Sequence, residues 1–162
     1  MKNKEIAMEL KSLIDKYMSH KLIAELEGYT MFFKKSEIIQ PEESITKEDI
    51  LKIANVVLDI QRIKERVVYI LIRVRKAKNR IKTLKKIIML KPEVYDEYKK
   101  KRNVEERDLY LYGKLPVLED CLDRSILIEK NCDTILELLN SHVWALRGNA
   151  KVLTDSYQAR GE

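Results

Sequence analysis

From Ile53 to Ile88 every seventh residue is a β-branched aliphatic: Ile53, Ile60, Val67, Val74, Ile81 and Ile88. A second apolar series lies three residues further on, at Val56, Ile63, Ile70, Ala77 and Leu84. Apolar residues at this 3-4 spacing share one helix face, and repetition over such a length is a coiled-coil signal. With the first series at heptad position a and the second at d, every a and d position in the stretch is apolar. Thr46, followed three residues later by Asp49, has the form of a helix start, and no Gly or Pro intervenes before Pro92. The pattern predicts one helix over 47–91, roughly 45 residues and about 67 Å long. Val57 and Leu71 at e, and Val68 at b, widen the stripe beyond a two-stranded seam. A bundle or higher oligomer suits that width better than a simple dimer.

The same reading extends along the chain. Ile6, Leu10, Leu13, Ile14 and Tyr17 form one face of an N-terminal helix over 3–27, with Gly28 as its stop. Residues 29–46 read as a loop around Pro41, in which Met31, Phe32 and Phe33 either dock on a bundle or form a short strand. A tyrosine-rich connector over 92–115 predicts one or two short helices broken near Asn103. From Pro116 to about Ala159 a second long helix follows, on Leu118, Cys121, Ser125, Ile128, Cys132, Ile135, Leu139, His142, Leu146, Asn149 and Leu153. Polar residues interrupt this seam, and such a residue can set register and oligomer state. Ile135, Leu139, Trp144, Leu146, Asn149 and Leu153 are the candidate oligomerisation residues. The expectation is an all-α fold, one helical domain over 1–162 built from long coiled-coil-like helices in a bundle or hairpin, and oligomeric.

Composition agrees: 45% of residues are hydrophobic and 36% charged, with only 4 Gly and 3 Pro. No run is long and apolar enough to span a bilayer, and the N-terminal stretch has charges inside its apolar part, so a cytoplasmic protein is expected. Cys121 and Cys132 on one helix would lie about 16 Å apart, too far for a disulfide. Neither they nor His20 and His142 have metal-ligand spacing. The chain has no phosphate loop, dinucleotide fingerprint or nucleophile elbow. No catalytic residues, metal or cofactor are expected.

The net charge of +6 matters less than where the charge sits. In 73–86 the basic residues are Arg73, Arg75, Lys76, Lys78, Arg80, Lys82, Lys85 and Lys86, with no acidic residue among them. Arg73 and Arg80 fall at g, Lys78 and Lys85 at e. A parallel homodimer through this segment would place like charges on both flanks. Three readings account for the coat: ordinary solvated surface, an acidic partner helix, or a polyanion. The acidic 116–140 stretch could supply the second through an antiparallel hairpin. For the third, basic residues pair with successive phosphates and nearby tyrosines stack on bases. A membrane surface fits poorly, because the apolar face is committed to the seam.

The C-terminal stretch ILELLNSHVWALRGNAKVLTDSYQARGE resembles the end of the phage recombination-mediator family typified by UvsY. The likeness rests on Ile135, Leu136, Leu139, Ser141, Trp144, Leu146, Arg147, Ala150 and Gly161, behind a basic segment, a tyrosine-rich middle and an acidic stretch in similar order. The resemblance implies a small all-helical, ring-like oligomer that binds single-stranded DNA. It also implies a protein that helps a RecA-class recombinase displace the single-strand-binding protein, without catalysis of its own. The matching DNA segment is Arg73 to Lys86, extended to Lys99, Lys100, Lys101 and Arg102. The N-terminal helix has no counterpart in the resemblance. The competing expectation is a structural or adaptor coiled-coil protein whose basic face meets an acidic helix or partner.

Overall fold

The computed structural model describes residues 2–35 and 47–158, so the expected cap at Thr46 and loop at Pro41 lie outside the described residues. Those described form six helices and no strand: α1 Asn3–Tyr17, α2 His20–Lys35, α3 Lys47–Met89, α4 Pro92–Lys100, α5 Val104–Lys114 and α6 Pro116–Gln158. The all-α expectation holds. α3 and α6 have close to the predicted bounds, and the connector divides into two short helices at the expected break.

The N-terminal region differs from its expected single helix. α1 stops at Met18, whose backbone (φ −140°, ψ 30°) leaves the helical region while its N–H still donates to the Ile14 carbonyl at 2.8 Å. Ser19 then starts α2 as a cap: its carbonyl accepts from the Leu22 and Ile23 N–H groups, and its Oγ lies 3.4 Å from the Leu22 nitrogen. Met18 is fully buried, so the break carries a core side chain inward. Gly28, the expected stop, lies inside α2, and Met31, Phe32 and Phe33 are helical.

The contacts divide the chain into two compact units. The first comprises residues 1–24 and 70–130, the second 25–69 and 131–162. Because α3 and α6 contribute to both, no linker marks the division.

In the first unit, Asn3 meets Lys91, Glu9 meets Arg80 and Tyr17 meets Arg73. The numbers rise along α1 as they fall along α3, so these helices run antiparallel. Val74, Ala77, Ile81, Leu84 and Ile88 are all buried, together with Ile6 and Leu10 of α1, Leu111 of α5, and Leu118, Cys121 and Ile128 of α6. Each large aliphatic so buried contributes about 1.5–3 kcal/mol. The seam read from the sequence is thus covered by the chain's own helices here. Ser125, buried among them, donates its hydroxyl to the Leu122 carbonyl at 2.7 Å and leaves no unpaired polar group. Pro92 opens α4 at its first turn, and Asn103 caps α5 by accepting from the Glu106 N–H at 2.8 Å.

In the second unit, Ile60 and Val67 of α3, Leu26 and Phe33 of α2, and Cys132, Ile135, Leu139 and Leu146 of α6 are buried. Arg66 holds Glu25 through two hydrogen bonds of 2.9 and 3.1 Å. His142 lies 2.9 Å from the Leu138 carbonyl and meets the edge of Phe33 at 5.4 Å, as a hydrogen-bonded seam residue should. Val56, by contrast, is exposed, so the d series weakens toward the start of α3.

Candidate functional site

The basic coat of α3 is sorted by heptad position. The seam leaves e positions on one flank and g positions on the other, and different helices meet them. On the e flank, Lys78 pairs with Glu129 of α6, and Lys85 reaches Asp108 of α5 at 2.6 Å. On the g flank, Arg80 forks onto Glu9 of α1 through Nε and through Nη2, the latter at 3.1 Å. That bond raises the Arg80 pKa. Arg73, also at g, lies over the Tyr17 ring at 5.2 Å. Arg75 stands at b, 3.8 Å from the carboxylate that Lys78 already holds. Carboxylates therefore meet the flanks, but only Glu129 comes from the acidic 116–140 stretch; with Glu9 of α1 and Asp108 of α5 it engages four of the eight basic residues.

The outer face differs. Lys76, Lys82 and Lys86 occupy c, b and f, are exposed, and have no carboxylate partner among the described residues. They extend about 15 Å along the helix. The structure thus keeps the eight predicted residues on one helix but leaves only this row uncommitted.

In the tyrosine-rich segment after α3, four cations lie beside tyrosine rings. Lys99 lies 4.3 Å from the Tyr95 ring centre, Arg107 5.5 Å from that of Tyr98, and Lys101 and Lys114 5.4 and 5.5 Å from that of Tyr110. Cation–ring pairs of this kind are weak at exposed sites, but they hold positive charge beside a π-face. Tyr112, near Lys85, is different: burial, then the charge of Asp108, raises its pKa, as for a packing residue.

A cleft of about 360 Å³ opens between α1 and α3, lined by Leu13, Tyr17, Arg73, Lys76, Ala77 and Arg80. The Tyr17 hydroxyl is held below the usual phenol range, chiefly by a hydrogen bond with Lys16; burial opposes this as the next largest influence, and the charges of Lys16 and Arg73 add smaller lowering effects. Tyr17 was legible in the sequence only as part of an apolar helix face; nothing there shows that this end of α1 meets Arg73.

The charge is unevenly divided. The first unit holds 22 Lys and Arg against 13 Asp and Glu, a net +9, whereas the second holds 10 against 13, a net −3. The overall excess therefore arises wholly in the unit that carries the row and the cleft.

The predicted oligomerisation residues separate. Ile135, Leu139 and Leu146 are buried within the single chain, while Trp144 is 80% exposed. The side chains of Asn149 and Leu153 lie outside the described residues. Among the described residues no group of His, Cys, Asp and Glu could hold a metal ion, and no helix is long and apolar enough to cross a membrane. No family model, curated protein or solved structure matches the chain.

Proposed function

We propose that this protein binds single-stranded DNA along the outer face of α3 and the neighbouring tyrosine-rich helices, as a homo-oligomer. By its resemblance to the UvsY-typified family, its role is that of a recombination mediator that helps load a RecA-class recombinase against the single-strand-binding protein. The observation that carries the reading is the row Lys76, Lys82 and Lys86, solvent-facing and without acidic partners among the described residues, in the one unit with a large positive excess. Phosphates are a natural counter-charge for such a row, and oligomerisation would multiply weak contacts along one strand.

A second reading is favoured by Glu9, Asp108 and Glu129: the coat serves mainly to join helices, and the protein is a structural or adaptor module. Fluorescence anisotropy with a labelled oligonucleotide separates the two. The wild type is expected to bind with a steep log–log salt dependence. Replacing Lys76, Lys82 and Lys86 together by Glu is expected to flatten that slope by about 2 or more, at roughly 0.7 per phosphate contact on a single strand. Helicity should be unchanged, because these residues hold no carboxylate among the described residues. An absence of binding at low salt refutes the DNA reading and leaves the adaptor.

A further inference from the structure

We infer that the α1–α3 cleft seats one nucleotide unit of the bound strand, its phosphate on Lys76 and Arg73 and its base against Tyr17. The inference rests on the strand-binding reading and assigns a specific subsite to it.

Three features of the cleft carry the assignment. Its volume, about 360 Å³, is within the range of small-molecule sites and large enough for a base with its sugar and phosphate. Its lining is divided in the same way as a nucleotide. Leu13, Ala77 and the half-exposed Tyr17 ring supply an apolar and aromatic side, while Arg73, Lys76 and Arg80 supply cations. The cations are also unequal. Arg80 is engaged by Glu9, whereas Lys76 has no carboxylate partner among the described residues and belongs to the outer lysine row. The cleft therefore opens at the point where that row begins, so a strand following Lys82 and Lys86 can turn a base inward at Lys76.

Tyr17 is placed for stacking rather than for chemistry. Arg73 and Lys16 both lie over its ring, at 5.2 and 5.4 Å, and ring and cations together offer the mixed π and cationic surface on which single-strand binders stack bases. A cleft meant only for an inorganic anion would need no aromatic wall. α1, packed antiparallel to the basic segment, contributes the wall that α3 lacks.

The test uses the full-length protein and an oligothymidylate carrying one 5-iodouracil, with anisotropy to confirm binding and mass spectrometry to map the photoadduct. An adduct at Tyr17 is expected. Binding with adducts only at Tyr95, Tyr98 or Tyr110 overturns the cleft assignment but leaves strand binding intact, whereas no binding at all overturns both. In parallel, Tyr17→Leu is expected to lower oligonucleotide affinity roughly 5- to 150-fold, the range for loss of one stacked base. Tyr17→Phe should keep the wild-type value. An unchanged affinity in a Tyr17→Leu protein of wild-type helicity overturns the assignment. Competition with thymidine monophosphate distinguishes a strand subsite from a free-nucleotide site: binding of the monophosphate as tightly as the oligonucleotide overturns the strand assignment.

Discussion

Lys78 of α3 and Glu129 of α6 face each other in an ion pair, with both side chains largely covered, and Arg75 approaches the same carboxylate at 3.8 Å. One acidic residue thus answers two cations of the basic run. Removing it leaves Lys78 desolvated without a counter-charge, which is costlier than losing a surface pair. Glu129→Gln is expected to destabilise the fold by roughly 1–2 kcal/mol in urea unfolding, less than for a fully buried pair because water still reaches these groups. If the coat binds a polyanion, the same substitution raises oligonucleotide affinity, because Arg75 and Lys78 lose their internal competitor. If the coat serves only to join helices, stability falls and no affinity appears.

The apolar seam makes a larger contribution. Ile81 and Leu84 are fully buried in the first unit, so truncation removes transfer energy and leaves a cavity. Ile81→Ala and Leu84→Ala are each expected to cost about 2–5 kcal/mol, measured as a loss of unfolding free energy by circular dichroism. Val56→Ala, at the same heptad register but exposed, should cost far less.

Gly28 provides the opposite sign. It lies within α2, and a methyl group added there would meet nothing within 4 Å. No positive φ occurs among the described residues, so the position does not require glycine. Gly28→Ala is expected to stabilise the protein by about 0.5–1 kcal/mol, chiefly by narrowing the unfolded ensemble. A fall in unfolding midpoint would show that α2 does not continue through residue 28 in solution.

That glycine also shows where the sequence misleads. Gly is the commonest helix stop, so the sequence points to the chain's first glycine, while the actual break at Met18–Ser19 has no Gly or Pro to announce it. It depends on Met18 finding a buried place and on Arg124, more than a hundred residues away in sequence, whose Nη1 lies 3.5 Å from the Met18 carbonyl. Local spacing contains neither fact. The α3 seam, by contrast, was legible because each a and d residue from Ile60 to Ile88 except the small Ala77 is a branched aliphatic, and burial follows that register closely. The basic run was legible as a charge pattern but not as a site. Heptad letters separate flank from outer face, yet only the fold shows that Glu9, Asp108 and Glu129 meet the flanks and that Tyr17 closes a cleft beside Lys76.

Cys121 predicts a specific alkaline sensitivity. Its thiol is buried and lies 3.4 Å from the Leu10 carbonyl, and burial, with a smaller effect of Asp120, pushes its pKa up to about 12 from an ordinary value of 9.0. The unfolded chain therefore releases this proton first. The stability associated with the protonated thiol is complete below pH 9 and is lost as pH rises from there toward 12. The difference in stability between wild type and Cys121→Ala is expected to narrow over that window. In the folded protein at pH 8, neither Cys121 nor the equally buried Cys132 should react with a disulfide reagent, whereas both react in urea.

Trp144 provides the direct test of assembly. It is the chain's single tryptophan, and it stands 80% exposed on α6 while its neighbours Leu139 and Leu146 are buried. Those two leucines are already occupied inside one chain, so an oligomer that uses this part of α6 has to do so through the face that bears the indole. Large aromatic side chains commonly anchor such contacts. With assembly through that face, tryptophan emission moves to shorter wavelength and acrylamide quenching weakens as protein concentration rises, in step with the sedimentation mass. Trp144→Ala then lowers that mass without changing helicity. Emission that stays at the position of a hydrated indole while the mass increases would place the contact on another surface, and the proposed role of α6 in assembly would fail.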